Sequence, residues 1–192
     1  MKKQTIRREQ IYRNAATLFF LKGYHATTMR QLAREVGVEQ GSLYNYYQSK
    51  KDLLYNIVQK GNRDLTENVE AALKSALTPS ELMSAALTAH IRHFLRRKEE
   101  VSIGAEIRNL DPGQQAELLK INQAYVQIFR SILAQGIKEG VFRPCNVRFI
   151  TMLLLSVATP TAIWYRPDGS IKEDEVVAWY VEHAMNSLRA DH

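Results

Sequence analysis

Residues 27–54 read TTMRQLAREVGVEQGSLYNYYQSKKDLL, and their spacing predicts two short helices joined by a tight turn. Thr28 and Gln31 stand at the separation of a capping box, in which two side chains satisfy backbone N–H groups that a helix start leaves unpaired. Leu32, Ala33 and Val36 make a short apolar face that ends at Gly37. Glycine tolerates positive φ, so the chain can turn steeply there into a second helix, expected from about Gln40 to Tyr47. Leu32, Ala33, Val36, Val38, Leu43 and Tyr47 can lock the two helices together. Gln40, Ser42, Tyr44, Asn45 and Tyr46 then face outward. Hydrogen-bonding and aromatic side chains on such a helix suit base edges and phosphates in a DNA major groove.

The flanks support the same reading. Ile11, Ala15, Leu18 and Phe19 follow the i, i+4, i+7, i+8 spacing of a buried helix face, and Gly23 closes that helix. Ser49 is the expected cap of a longer third helix carrying Leu53, Leu54, Ile57, Leu65 and Val69. Lys50 and Lys51 in its first turn oppose the helix dipole, which a bound anion such as a DNA phosphate would relieve; two ordinary surface lysines are the alternative. Residues 1–50 hold nine Lys/Arg against three Asp/Glu, leaving 17 of each for residues 51–192. The whole net charge of +6 therefore lies in the first quarter of the chain, as in a polyanion-binding head on a neutral body, or as a solubilising basic face.

Beyond the head the periodicity stays helical. Thr78-Pro79-Ser80-Glu81 is a second capping box with proline at the first helical position, opening a helix that ends in the basic tip Arg96-Arg97-Lys98. Asp111-Pro112-Gly113 is read as a turn, Leu118–Ile137 as a long amphipathic helix stopped by Gly140, and Val147–Trp164 and Val176–Leu188 as the last two helices. The expected fold is all-α, about nine helices: a three-helix helix-turn-helix head (residues 1–54) on a larger body (55–192).

Enzymatic classes lack support. There is no nucleophile–base pair, metal-ligand spacing or phosphate-cradling glycine loop, and Cys145, the single cysteine, excludes an internal disulfide. His90 and His93 at i, i+3 have no third ligand at a telling spacing, so no metal and no cofactor is expected. The chain opens Met-Lys-Lys-Gln-Thr without a signal-like apolar stretch. The longest apolar run, Met152–Trp164, is broken by Ser156, Thr159, Pro160 and Thr161 and is shorter than the ~20 residues of a membrane span. A cytoplasmic protein without membrane contact is expected.

The head resembles the tetracycline-repressor (TetR) family over roughly residues 8–56. The stretch Leu43-Tyr44-Asn45-Tyr46-Tyr47-Gln48-Ser49-Lys50-Lys51-Asp52-Leu53 is similar to that family's "Leu-Tyr-x-x-Phe-x-x-Lys-x-x-Leu", with Tyr47 in place of the usual Phe. Phe19, Gly23 and Tyr24 resemble its "Phe-x-x-x-Gly-Tyr" ending of the first helix. The resemblance implies DNA contacts from Thr28, Arg30, Gln40, Ser42, Tyr44, Asn45 and Tyr46, with Lys50 on a phosphate. It also implies a homodimer on a palindromic double-stranded operator, most often as a repressor released by a small-molecule effector. Dimerisation through the last two helices would use Leu155, Ile163, Trp164, Val177, Tyr180 and Val181, and the middle helices would enclose the effector with His90, His93, Phe94, Arg108, Tyr125, Phe129 and Met152. Weaker likenesses in the body, Ile107-Arg108-Asn109-Leu110 and Trp164-Tyr165-Arg166-Pro167-Asp168-Gly169, point to members of the family that regulate fatty-acid, aromatic-acid or sterol breakdown. Those respond to acyl-CoA thioesters; a lipophilic metabolite or drug is the rival ligand class.

Overall fold

The computed structural model describes residues 2–190. Among them are nine α-helices of five residues or more, one single-turn helix and a 3₁₀ segment. In order they are α1 (Lys2–Lys22), α2 (Met29–Val36), α3 (Gln40–Tyr44), α4 (Lys50–Leu73), α5 (Pro79–Arg96), α6 (Lys98–Ile103), the 3₁₀ turn Gly104–Asn109, α7 (Pro112–Lys138), α8 (Val147–Ser156), the short α9 (Thr161–Trp164) and α10 (Glu173–Leu188). Extended pairing among the described residues is confined to one isolated bridge between Phe142 and Arg189.

The chain forms two compact units. The first runs to Gly61 and includes Glu99–Leu119; the second comprises Asn62–Lys98 and the chain from Lys120 onward. The 54/55 division drawn from sequence falls inside α4, which is unbroken there. In the first unit the periodic residues of α1 are buried as expected, and Leu32, Leu43, Leu53, Leu54 and Ile57 are wholly enclosed. The second unit holds two apolar clusters: one around Met83, Leu87, Phe129, Leu133 and Phe142, the other joining Ile91 and Leu95 to Tyr165, Val176 and Val177. Gly136 makes the first cluster possible, since a Cβ at that position would run into the Phe142 ring.

Three boundaries differ from the sequence reading. α3 ends at Tyr44 rather than Tyr47, because Asn45 and Tyr46 turn their N–H groups to the carbonyls three residues back. The long helix expected from Leu118 begins at Pro112, where a missing N–H costs nothing, so the chain turns at Leu110–Asp111, just ahead of the proline. Val147–Trp164 is two helices rather than one. Pro160 has no N–H to offer Ser156, and its ring would press on that carbonyl, so α8 stops at Ser156.

Candidate nucleic-acid interface and effector body

The candidate reading helix is held by its neighbours before it can read anything. Thr28 Oγ1 accepts from Gln31 N–H, and Gln31 Oε1 accepts from Thr28 N–H at 2.8 Å, closing the capping box. Gly37 sits at φ +69°, ψ 44°, and its N–H bonds back into α2. Arg7 of α1 donates to the Gly37 carbonyl at 3.1 Å, so the turn is pinned from outside as well. Leu43 is fully buried and Tyr47 nearly so, with the Arg8 guanidinium 5.2 Å from the Tyr47 ring centre. Burial pushes the Tyr47 phenol up, against the pull of Arg8. With that side anchored, Gln40, Tyr44 and Asn45 are exposed, Ser42 and Tyr46 half-buried, and Thr28 and Arg30 exposed at the start of α2.

Lys50 stands in the first turn of α4, where its spacing put it, with its side chain turned to the preceding loop. Its ammonium donates to the carbonyls of Tyr24 and Thr27, both at 2.8 Å, and to that of His25 at 3.3 Å. Three donors meet three carbonyls of the loop between α1 and α2, and the Tyr24 ring lies beside them. Burial lowers the Lys50 pKa, yet the acceptors keep the charge well solvated by the chain itself. Lys51 meets Asp111 at 2.7 Å, and that carboxylate raises its pKa. Both lysines that oppose the helix dipole thus have partners within the chain. Sequence reading could not see the Lys50 and Arg7 contacts, which close over 23 to 30 residues.

In the second unit, His90, Phe94, Tyr125 and Phe129 come together as one aromatic cluster, with ring centres 4.6 to 5.9 Å apart along its contacts. His90 is buried and uses both ring nitrogens. Nδ1 lies 2.6 Å from the Tyr125 hydroxyl and Nε2 lies 3.1 Å from the Leu155 carbonyl. A carbonyl can only accept, so Nε2 carries the proton and the tyrosine hydroxyl donates to Nδ1. The Leu155 carbonyl needs this donor: within a continuing helix Thr159 would supply it, but α8 has ended and Thr159 N–H bonds Ser156 instead. His90 therefore caps the helix that Pro160 breaks. Burial lowers its pKa to about 4, and burial likewise raises that of Tyr125.

The remaining body residues separate. His93 is buried beside Asn68, while Arg108 is exposed on the 3₁₀ turn of the first unit and Met152 is exposed on α8, neither in the aromatic cluster. Among the expected interface residues, Val177 is buried in the second unit's own core, Leu155, Tyr180 and Val181 pack against that core, and Ile163 and Trp164 are exposed. An exposed apolar stripe instead runs from Phe149 and Leu153 on α8 to Val157 just beyond its end. Phe149 was missed, although its i, i+4, i+8 spacing with the other two carries the signal. Leu153 and Val157 join Trp179, Tyr180 and His183 of α10 around an apolar groove of ≈ 400 Å³. Among the described residues no three His, Cys, Asp or Glu side chains gather as metal ligands, and no helix is long and apolar enough to cross a membrane.

A helix-turn-helix with a polar outward helix, joined to a helical body with an aromatic interior, defines a class of DNA-binding transcription regulators. The profile for "Bacterial regulatory proteins, tetR family" matches residues 11–57, that for "Tetracyclin repressor-like, C-terminal domain" matches residues 76–188, and the chain belongs to the TetR family. It is 28% identical over 189 residues to the HTH-type transcriptional repressor KstR2 of Rhodococcus jostii (strain RHA1), covering 97% of this chain and 93% of that protein. Against the TetR family transcriptional regulator PfmR from Thermus thermophilus the TM-score is 0.84 at 30% identity, over 94% of this chain and 99% of that one. AibR, solved in complex with isovaleryl coenzyme A and operator DNA, shares the fold at a TM-score of 0.83 and 24% identity, over 92% and 97% of the two chains.

Proposed function

We propose that this protein is a cytoplasmic homodimeric repressor, not an enzyme, that holds a palindromic operator through residues 1–54 and releases it when an acyl-CoA thioester binds the body, residues 55–192. The observation that carries this reading is the exposure of Gln40, Tyr44 and Asn45 on a helix whose other side is locked by buried Leu43. Gln40, Ser42 and Asn45 are assigned to base edges, Tyr44 and Tyr46 to backbone or a thymine methyl, and Thr28 and Arg30 to the flanking strand. Lys50 is assigned to positioning the α1–α2 loop, since its donors are engaged there.

One reading helix covers few base pairs, so two copies spaced ~34–36 Å apart on successive major grooves are needed. The apolar groove and stripe on α8 and α10 suit a second copy of the same surface. KstR2 is named a repressor, and AibR binds both isovaleryl coenzyme A and operator DNA, which supports the effector class. An acyl chain entering the second unit would meet the aromatic cluster of His90, Phe94, Tyr125 and Phe129 with its one polar pair, which is closely packed in this structure. The continuous α4 would carry the change to the head, and a coupling of about 1–3 kcal/mol alters operator affinity ~5–150-fold.

The test is operator selection from random DNA with purified protein, followed by titration of the complex with short- and long-chain acyl-CoA thioesters and with a panel of lipophilic drugs. Release by acyl-CoA at micromolar concentration is expected. Release by the drugs alone, or by neither, overturns the effector assignment; failure to enrich any sequence overturns the operator assignment.

A further inference from the structure

The reading helix α3 is five residues long and has little of its own to fix its direction. Helices below ~12–15 residues are marginal in isolation, and Glu39 at its start supplies no side-chain cap. Leu43 alone of its residues is buried. A short rod anchored at one point can tilt about it, so the direction of α3 is set where the chain enters and leaves.

Both places are met by consecutive residues of α1. Arg7 Nη2 donates to the Gly37 carbonyl at 3.1 Å, three residues ahead of Gln40. The Arg8 guanidinium stands 5.2 Å from the centre of the Tyr47 ring, three residues beyond Tyr44 and within cation–π reach. Tyr47 is 3% exposed, so that ring is itself held by its surroundings. Gln10 Oε1 accepts from Arg7 Nη1 at 3.2 Å, one turn further along α1. A guanidinium is planar with its donors in a fixed fork, so the bond on Nη1 aims Nη2. Gln40, Ser42, Tyr44, Asn45 and Tyr46 all lie between the two contacts in the chain. Both arginines precede Ile11, where the family match begins.

We infer that Arg7 and Arg8 are positioning residues for α3, bracketing it at Gly37 and Tyr47 and setting the angle at which its side chains meet the bases, without contacting DNA themselves. Hydrogen bonds to base edges are directional and weaken steeply when donor and acceptor are misaligned. Attraction to the phosphate backbone is sequence-independent and tolerates a small tilt. Loss of the bracket therefore erodes discrimination and spares general affinity. The effect on DNA rests on the assignment of α3 to base edges; the bracket itself does not.

Arg7→Gln, Arg8→Gln and the double variant of the full-length protein test the inference. Arg13→Gln is the control, since it removes the same charge from α1 at an exposed residue that pairs with Glu9. Two quantities are measured: hydrogen–deuterium exchange over residues 40–47, and affinity for the selected operator and for scrambled DNA across a salt series. In the double variant residues 40–47 should exchange about tenfold faster, with α1 and α4 as protected as in wild type. Its preference for operator over scrambled DNA should fall about tenfold, with the slope against log salt unchanged. Arg7→Lys keeps a donor for Gly37 and should restore most of what Arg7→Gln loses, and Arg13→Gln should change neither quantity. Equal losses toward both DNAs, with the slope reduced by about one per arginine, make these residues phosphate contacts and overturn the inference. Unchanged exchange over 40–47, exchange faster throughout the head, or an operator preference that stays at the wild-type value also overturns it. Faster exchange confined to 40–47, in a protein whose wild type selects no operator, upholds the bracket and removes the base-reading assignment.

Discussion

Lys50 and Tyr24 are joined twice: the ammonium donates to the Tyr24 carbonyl at 2.8 Å and stands 4.3 Å from the centre of the Tyr24 ring. A hydrogen bond from a charged donor and a cation–π contact both favour the protonated lysine, and both tie the first turn of α4 to the loop that precedes α2. The loop that leads into α2 is thereby positioned from α4.

Replacing Lys50 with Met should lower stability by about 1–2 kcal/mol, the scale of losing charged hydrogen bonds at a half-buried position. Operator affinity should fall with it, but the slope of log affinity against log salt should stay the same. A phosphate-contacting lysine would instead take about one unit from that slope with little change in melting temperature. Salt-titrated binding and thermal unfolding of the same variant separate the two roles.

Asn45→Ala and Gln40→Ala should each relax preference at one or two operator positions, costing about 1–3 kcal/mol against the best sequence and little against random DNA. Both side chains are exposed, so folding should be unaffected. Unchanged base preference in both would assign the reading to other residues.

Gly136→Ala should be among the most damaging single-methyl changes in the second unit, because the added Cβ meets the ring of the buried Phe142. Overpacking of this kind costs about 1–3 kcal/mol, and the denaturant midpoint measures it. Gly37→Ala has open space for its Cβ but keeps φ +69°, so its cost of roughly 1 kcal/mol is conformational alone.

His90 makes stability depend on pH. Its pKa falls from 6.5 in the unfolded chain to about 4 in the fold, because burial penalises the charged ring. The unfolded state therefore binds more protons between those values, and the stability present above pH 6.5 is lost as pH falls toward 4. The loss from this group between pH 8 and pH 5 is about 2 kcal/mol. His90→Gln should flatten the urea-unfolding midpoint over that range relative to wild type, while being less stable at pH 8.

Leu153→Glu places a charge on the exposed apolar stripe of α8. The variant should fold, sediment as a monomer, and lose roughly 10²-fold in operator affinity as the two half-sites become separate binding events. A dimer in sedimentation would move the interface elsewhere.

Local signals were legible in advance because they act within one helical turn. The capping boxes at Thr28 and Thr78, the glycine stop at Gly37 and the i, i+4 faces of α1 and α2 all depend on residues three or four apart, and all stand where spacing put them. The exposure of Gln40, Tyr44 and Asn45 was legible for the same reason, whereas Ser42 and Tyr46, expected to face outward with them, are half-buried. The body was less so: an apolar helix face reads alike whether it meets its own core, as Val177 does, or lies open, as Leu153 does.

By itself, then, the sequence determined that residues 27–54 form a helix-turn-helix, because capping, glycine geometry and apolar periodicity are short-range constraints that any neighbouring structure must respect. Tertiary structure alone decided what holds that motif. Lys50 meets the Tyr24 carbonyl across 26 residues and Arg7 meets Gly37 across 30; in the body, likewise, His90 meets the Leu155 carbonyl across 65. Each is a donor finding an acceptor that secondary structure left unsatisfied, and which donor arrives depends on the path of the whole chain.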